Sequence, residues 1–182
     1  MAADAALTVM RQAVRASGRQ DFVRTCLFRL WPHSQKLLRE VSRRLGGEIR
    51  LPGDRYTLLE RSIRAGVAAV NSVHKPRSRH GYYRLEDWER TVYFGFFTGL
   101  FQQAAEVGYC RVRSAGGVWT VLGPPYLSWR AEQPGEVVME WSGGGDPYRT
   151  AWRLAWQAVL ASGQRRQVER RLLEMLGTVA YG

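Results

Sequence analysis

The chain has 182 residues, of which 45% are hydrophobic and 24% are charged, and its formal net charge is +11. This balance excludes an intrinsically disordered protein, and the length is that of one domain, so we expect residues 1–182 to fold as a single domain. Two cysteines are too few for a disulfide framework, and neither a secretion signal nor an apolar helix of about 20 residues is visible, so we expect a cytoplasmic protein that does not enter a membrane.

The apolar periodicity of the first half of the chain predicts four helices. They cover residues 4–16, 21–31, 34–45 and 54–70. The boundaries fall at Ser17-Gly18, Pro32 and Gly46-Gly47, and Ser34 and Asp54 stand where they would cap the third and fourth helices. On these two helices we expect the apolar residues to face inward and the arginines outward, and the arginines would form one basic stripe if the helices pack side by side. This candidate stripe consists of Arg39, Arg43, Arg44, Arg55, Arg61 and Arg64.

Residues 74–84, with the sequence HKPRSRHGYYR, show no apolar periodicity and are expected to form a loop without any acidic residue. Cations neutralise phosphates and tyrosine rings stack on bases, so the composition is typical of an RNA or single-strand site. The candidate binding residues of the loop are Lys75, Arg77, Arg79, Tyr82, Tyr83 and Arg84. The alternative is a solvated basic loop whose tyrosines begin the packing of the next helix.

Residues 88–107 are apolar on nearly all sides, which predicts a buried central helix with Val92, Phe96 and Leu100 in the core. Gly95 and Gly99 lie one helical turn apart and favour the close approach of another helix. Short runs of β-branched and aromatic residues follow and predict a small antiparallel meander of three or four strands. The expected strands are residues 118–122, 126–130 and 136–141, with 109–113 as a candidate first strand.

Two helices follow the strands. The first of these helices is predicted to start at Asp146-Pro147, with Asp146 as a side-chain cap and Pro147 in the first turn. Its residues Trp152, Trp156, Val159 and Leu160 are expected to face inward. The last helix covers residues 165–176. The resulting fold class is α+β, with about six helices around the central helix and one small antiparallel sheet at about residues 109–141. A winged helix is an alternative, with the strands as the wing.

No catalytic motif accompanies these elements, because the HExxH, Cys-x-x-Cys and P-loop patterns are all absent from the sequence. Cys26 lies on the apolar side of its helix, which favours a structural thiol over a nucleophile. Glu86, Asp87 and Glu89 are the densest group of acids, and charge that complements a helix start explains them better than a metal site does. We therefore expect no catalytic residue, no metal and no cofactor.

The net charge is concentrated in one half of the chain. Residues 1–85 contain fifteen arginines, two lysines and six acidic residues, whereas residues 86–182 contain ten arginines and ten acidic residues. The preference for arginine over lysine is typical of a GC-rich genome, but codon usage does not sort charge along a chain. The asymmetry therefore predicts a basic helical half that faces a polyanion and a neutral, tryptophan-rich half.

These features favour a non-catalytic nucleic-acid-binding subunit of a larger nucleoprotein assembly, for example a CRISPR effector, phage or mobile-element complex. RNA or single-stranded DNA is favoured over a sequence-specific duplex because no base-reading motif is present. Seven tryptophans and eight tyrosines exceed what one small core hides, and aromatic residues are enriched at interfaces, so other protein subunits are expected partners. The alternatives are an adaptor that docks an acidic protein and a small metal-dependent nuclease or hydrolase.

Overall fold

The core is organised around one apolar helix, α5 (Leu85–Ala104), as the sequence predicts. Val92, Phe96 and Leu100 are all fully buried, which confirms their assignment to the core. The computed structural model describes residues 2–74, 85–143, 145–163 and 167–181, and their side chains within 4–72, 88–143, 145–163 and 170–177. The chain is mainly helical with one three-stranded antiparallel sheet, so the predicted α+β class is confirmed.

Three helical elements precede the long pair at the centre of the fold. They are α1 (Ala2–Ala16), α2 (Gln20–Phe22), which continues as a π-helical segment (Val23–Phe28), and α3 (Ser34–Leu45). The π-helical segment is a departure from the regular helix that was expected over residues 21–31. Ser34 does not cap α3, because it is the first helical residue and the N-cap position is held by His33 without a side-chain hydrogen bond.

Helix α4 (Leu58–His74) begins later than predicted, and Asp54 is not its cap. Thr57 and Glu60 form a reciprocal capping box instead. The Thr57 amide donates to Glu60 Oε2 at 2.9 Å, and the Glu60 amide donates to Thr57 Oγ1 at 3.3 Å. The connection after α3 therefore spans residues 46–57, longer than a helix–turn–helix pair allows, and the winged-helix alternative is not supported.

Helices α4 and α5 lie against each other at short distance, as the glycine spacing on α5 predicts. A Cβ atom built on Gly99 would stand 2.7 Å from the Ala65 carbonyl oxygen and 2.7 Å from the Ala69 Cβ. Because any side chain at Gly99 would collide with α4, the glycine is what permits this packing.

The sheet has three strands, within the predicted three or four, but its strand order differs from the prediction. A 3-10 turn (Ala105–Tyr109) leads from α5 into β1 (Cys110–Ser114), which pairs with both β2 (Gly117–Trp119) and β3 (Val138–Trp141). The order β2-β1-β3 puts the candidate first strand at the centre, so the sheet is not a meander.

The predicted strand at residues 126–130 is wrong, because this segment is the short helix α6 (Tyr126–Ala131). Tyr126 and Trp129 are three residues apart, so a helical turn brings both to one buried side. The Tyr126 ring lies 5.1 Å from Trp119 and 5.9 Å from Trp129, measured between ring centroids. An extended strand would have sent Tyr126 and Trp129 to opposite faces.

Helices α7 (Pro147–Ala161) and α8 (Gln167–Tyr181) pack against each other and against α5. The predicted cap is confirmed, because Asp146 Oδ1 accepts a hydrogen bond from the Arg149 amide at 3.0 Å. The prediction that Trp156 and Leu160 face inward is wrong, since their exposed fractions are 43% and 41%. Smaller residues supply most of the buried side of α7, namely Thr150, Ala151, Leu154, Ala155, Ala158 and Val159.

Among the helices that the structure describes, none has the length and apolar character required to cross a membrane.

Candidate nucleic-acid interface

Two of the α3 arginines that were predicted to bind nucleic acid, Arg43 and Arg44, form their contacts with other residues of the protein. Glu40 accepts hydrogen bonds from Arg43 Nη2 at 2.7 Å and Nε at 2.8 Å, and its Oε1 lies 3.2 Å from Arg44 Nε. Arg44 Nη1 donates to Gln157 Oε1 on α7 at 2.8 Å, and Arg43 Nη1 lies 3.4 Å from Ser128 Oγ on α6. These residues join α3 to two other helices.

The prediction that Arg44 points outward is therefore wrong, because only 13% of its side chain is exposed. Burial lowers the pKa of Arg44, whereas the hydrogen bonds from Arg43 to Glu40 raise the pKa of Arg43. Within the described residues, Arg39 is the member of the α3 set without an ion pair, and it is half-buried.

The α4 side of the predicted stripe forms an open cleft of about 410 Å³, which we call the Tyr56 cleft. It is lined by Arg19, Asp54, Tyr56, Arg61, Arg64, Ala65, Ala68 and Gln103. The guanidinium carbon of Arg64 lies 4.6 Å from the centre of the Tyr56 ring, and that of Arg55 lies 5.7 Å from it. Arg64 Nη1 also donates to the Ser17 carbonyl oxygen, at the end of α1, at 2.9 Å.

Arg61 is neutralised within the Tyr56 cleft. Its Nη1 atom pairs with Asp54 Oδ2, and its Nη2 atom lies 3.9 Å from Glu106 Oε1. The hydrogen bond from the Tyr56 amide, followed by that from Arg61, lowers the pKa of Asp54 and keeps it charged at neutral pH. Arg61 is thus already paired, whereas Arg55 is exposed and no ion pair to it occurs in the described part of the chain.

The single stripe along α3 and α4 is not formed. Arg43 and Arg44 reach toward α6 and α7, whereas Arg64 reaches the end of α1. The six other candidates, Lys75, Arg77, Arg79, Tyr82, Tyr83 and Arg84, lie outside the residues that the structure describes.

A second basic cleft was missed in the sequence analysis. It has a volume of about 380 Å³, lies between α1 and the α2 region, and we call it the α1–α2 cleft. It is lined by Met10, Arg11, Val14, Arg15, Gln20, Arg24, Phe28 and Gln35. The signal available in the sequence was the four-residue spacing of Arg11 and Arg15 on α1. The contribution of Arg24 depends on tertiary packing and has no local signal.

The two clefts border the same turn, because the consecutive residues Arg19 and Gln20 line one cleft each. Several acids of the same half of the chain are bound elsewhere, Glu40 to arginines of α3, Asp54 to Arg61 and Glu60 to the cap of α4, whereas Asp21, next to Gln20, is exposed. In the described ranges, Arg11, Arg15, Arg19 and Arg24 have no carboxylate within ion-pair distance. These arginines outnumber Asp21, so the surface around this turn carries an excess of positive charge.

The remaining reactive groups do not gather around either cleft. Among the described side chains, those of residues 4–72, 88–143, 145–163 and 170–177, no three His, Cys, Asp or Glu come together as metal ligands. Cys26 is half-buried and Cys110 is buried, and both are free thiols. Burial raises the pKa of the Cys110 thiol to about 11, so it stays protonated and unreactive at neutral pH.

Comparison of the chain with protein-family models, curated proteins and solved structures gives no match, so the geometry of the two clefts is the basis on which a function is assigned.

Proposed function

We propose that the protein is a non-catalytic, cytoplasmic nucleic-acid-binding subunit of a nucleoprotein assembly, with RNA or single-stranded DNA as its ligand. The observation that supports this function best is the meeting of the two basic clefts at Arg19 and Gln20. Arginines without a carboxylate partner gain most from phosphate, since pairing with it breaks no ion pair within the protein.

The α1–α2 cleft also offers an aromatic ring beside its cations, which favours a single strand over a duplex. Phe28 lines this cleft together with Arg24, whereas the Tyr56 ring in the other cleft is already covered by the guanidinium of Arg64. Bases of a single strand stack on such rings, whereas in a duplex they are stacked on each other. The loop residues Lys75, Arg77, Arg79, Tyr82, Tyr83 and Arg84 would extend the same chemistry.

Fluorescence anisotropy with a labelled single-stranded 30-mer tests this function across salt concentrations. If about four to six cations contact phosphates, the logarithm of the affinity falls against the logarithm of salt with a slope of roughly −3 to −4. Replacing Arg15 or Arg24 by alanine should flatten the slope by at most about one. Arg153→Ala is the matched control, because it removes the same charge from an exposed position on α7.

An absence of binding at low salt would overturn the proposal in favour of an adaptor for an acidic protein. Equal losses in Arg15→Ala and Arg153→Ala would show that net charge, rather than the clefts, attracts the ligand.

Membership of an assembly is supported by an exposed apolar surface on α7. Tyr148, Trp152, Trp156 and Leu160 follow each other at four-residue intervals, and we call them the α7 stripe. The Trp152 and Trp156 rings stack with centroids 5.7 Å apart, yet 43% of Trp156 and 54% of Tyr148 are exposed. Large exposed aromatic residues in a row are typical of protein interfaces.

The partner subunits are tested by affinity purification from the native host after nuclease treatment, with wild-type protein and with Trp156→Asp. We expect specific proteins to be lost from the variant while its affinity for the 30-mer is unchanged. Recovery of the same proteins with wild type and with Trp156→Asp would show that the α7 stripe does not bind partner subunits.

A further inference from the structure

The α1–α2 cleft has two chemically different parts. Its floor is apolar, because Met10 and Val14 are buried core residues and Phe28 is half-buried beside them. Its rim carries the exposed guanidinium groups of Arg11 and Arg15 from α1 and of Arg24 from the π-helical segment. A site that bound only phosphate would not need an apolar floor. A site for a purely apolar ligand would not need arginines at its rim.

The π-helical segment helps to build this cleft. Arg24 and Phe28 both belong to Val23–Phe28 and both line the cavity. Thr25 Oγ1 donates to the Asp21 carbonyl oxygen at 2.6 Å, a local bond that accompanies the irregular turn. π-Helical turns occur frequently at functional sites, where their wider turn sets side chains in positions that an α-helix does not offer.

Two amides complete the lining. Gln20 and Gln35 reach the cavity from the start of α2 and from α3. Each side-chain amide is both a donor and an acceptor, which is the pattern that the edge of a nucleobase presents. The volume of about 380 Å³ falls within the range of roughly 300–1,000 Å³ that is typical of small-molecule sites.

We propose that the α1–α2 cleft is a nucleotide subsite that takes one unstacked base of the bound strand. The base lies against Phe28 over Met10 and Val14, its edge bonds Gln20 or Gln35, and the flanking phosphates pair with Arg11, Arg15 and Arg24. This inference rests on the proposed nucleic-acid-binding function and adds that the protein contacts a base as well as the backbone.

The test compares a labelled single-stranded 30-mer with an abasic strand of the same length and charge, using the full chain. We expect the normal strand to bind more tightly. Phe28→Leu keeps the site apolar but removes the ring, and should weaken binding of the normal strand by at least fivefold, the lower end of what loss of one stacking ring causes. It should leave the abasic strand and the salt slope unchanged.

Phe22→Leu is the matched control, because Phe22 is also half-buried and lies on α2 but does not line the cleft. Circular dichroism and urea midpoints of both variants separate a folding defect from a binding defect. If Phe28→Leu is unfolded, Gln35→Ala replaces it in the test. Binding is then measured with four single strands, each built from one kind of base. We expect Gln35→Ala to change the order of their affinities but not the salt slope.

The outcomes separate the subsite from the function on which it rests. Equal, salt-dependent binding of the normal and abasic strands overturns the subsite and leaves the proposed function intact. A preference for the normal strand that Phe28→Leu fully retains overturns it as well. Binding of free nucleoside monophosphate without binding of the 30-mer overturns both and identifies a site for a small nucleotide. Absence of all binding also overturns both.

Discussion

Gly66 on α4 faces Phe96 on α5 so closely that a Cβ atom on Gly66 would stand 2.7 Å from the Phe96 carbonyl oxygen and 2.9 Å from Phe96 Cδ2. The backbones of the two helices are therefore nearly in contact at this point. Because Arg61 and Arg64 extend from the same helix α4, this contact also sets where the Tyr56 cleft lies relative to the core.

Gly66→Ala should destabilise the protein even though alanine is the better helix former. The substitution gains about 1 kcal/mol in helix propensity, but overpacking against backbone costs typically about 1–3 kcal/mol. We expect a net loss of up to about 2 kcal/mol in the free energy of unfolding, measured by urea denaturation. Gly143→Ala is the control, since nothing lies within 4 Å of a Cβ there. Equal stability of the two variants would mean that α4 and α5 can separate at no cost.

Phe96→Ala removes a large side chain from the other side of the contact between Gly66 and Phe96. Phe96 is fully buried, and its ring meets Phe97 at a centroid distance of 5.2 Å. Removing it should cost ~3–5 kcal/mol, as expected for a large-to-small change in a core. Leu122→Ala at a 58% exposed position should change stability by less than about 0.5 kcal/mol. A loss below about 0.5 kcal/mol for Phe96→Ala would contradict its place in the core.

The alanine variants of Arg44 and Arg39, both on α3, provide a matched comparison. Arg44→Ala removes a partner of the nearly buried Glu40 and of Gln157, so it should lower stability by roughly 1–3 kcal/mol. Arg39→Ala breaks no ion pair within the described residues and should leave the urea midpoint almost unchanged. The prediction fails if Arg39→Ala is the more destabilised of the two.

The buried thiol of Cys110 and the buried hydroxyl of Tyr126 make the stability of the protein sensitive to alkaline pH. Burial raises the pKa of Cys110 from 9.0 to about 11, and burial together with the nearby Glu48 carboxylate raises the pKa of Tyr126. The folded chain therefore binds more protons than the unfolded chain once the pH passes about 9, so stability falls as the pH rises further. The pKa of Cys110 confines its share of this loss to about pH 9–11, and the share of Tyr126 begins above its ordinary pKa of 10.0.

Urea midpoints between about pH 8 and pH 11 measure this loss. Cys110→Ala should show a shallower decline above pH 9 than wild type, because it removes the buried thiol. A Cys110→Ala curve parallel to that of wild type would contradict the role assigned to the buried thiol.

The cations and tyrosines of residues 75–84 should act differently in one titration series. Arg77→Ala and Arg79→Ala should weaken binding of the 30-mer uniformly across sequences and flatten the salt slope by about one at most. Tyr82→Ala and Tyr83→Ala should weaken it by ~1–3 kcal/mol without changing the slope, because stacking releases no counterions. Tyrosine variants that flatten the slope would count against stacking.

Local patterns in the sequence were sufficient for the features that depend on near neighbours. The buried α5 and the Asp146 cap each follow from residues within one or two helical turns. The strand predicted at residues 126–130 was wrong because the run contains two large aromatic residues three apart, which suit a short amphipathic helix when a partner such as Trp119 covers them. That partner is visible only in the fold.

The candidate site was harder to predict, because the exposure of an arginine depends on the elements that pack beside its helix. Arg44 lies three residues after Val41 and seven after Leu37, on the edge of the apolar face of α3, where α7 covers it and supplies Gln157 as its partner. Arg24 belongs to the π-helical segment, and tertiary packing brings it to the same cleft as Arg11 and Arg15 of α1. Charge along the chain shows which half is basic, but tertiary contacts decide which of its arginines are free of ion pairs.

The bond from Arg64 to the Ser17 carbonyl oxygen links the last turn of α1 to α4 through one side chain, which also lies over the Tyr56 ring. A guanidinium has five donors in a plane, so it can keep the carbonyl and the ring while still offering N–H groups to a third group. Lysine carries the same charge but has no planar group, so it could not hold all three in this geometry. The link between α1 and α4 beside the Tyr56 cleft therefore depends on the shape of this side chain as well as on its charge.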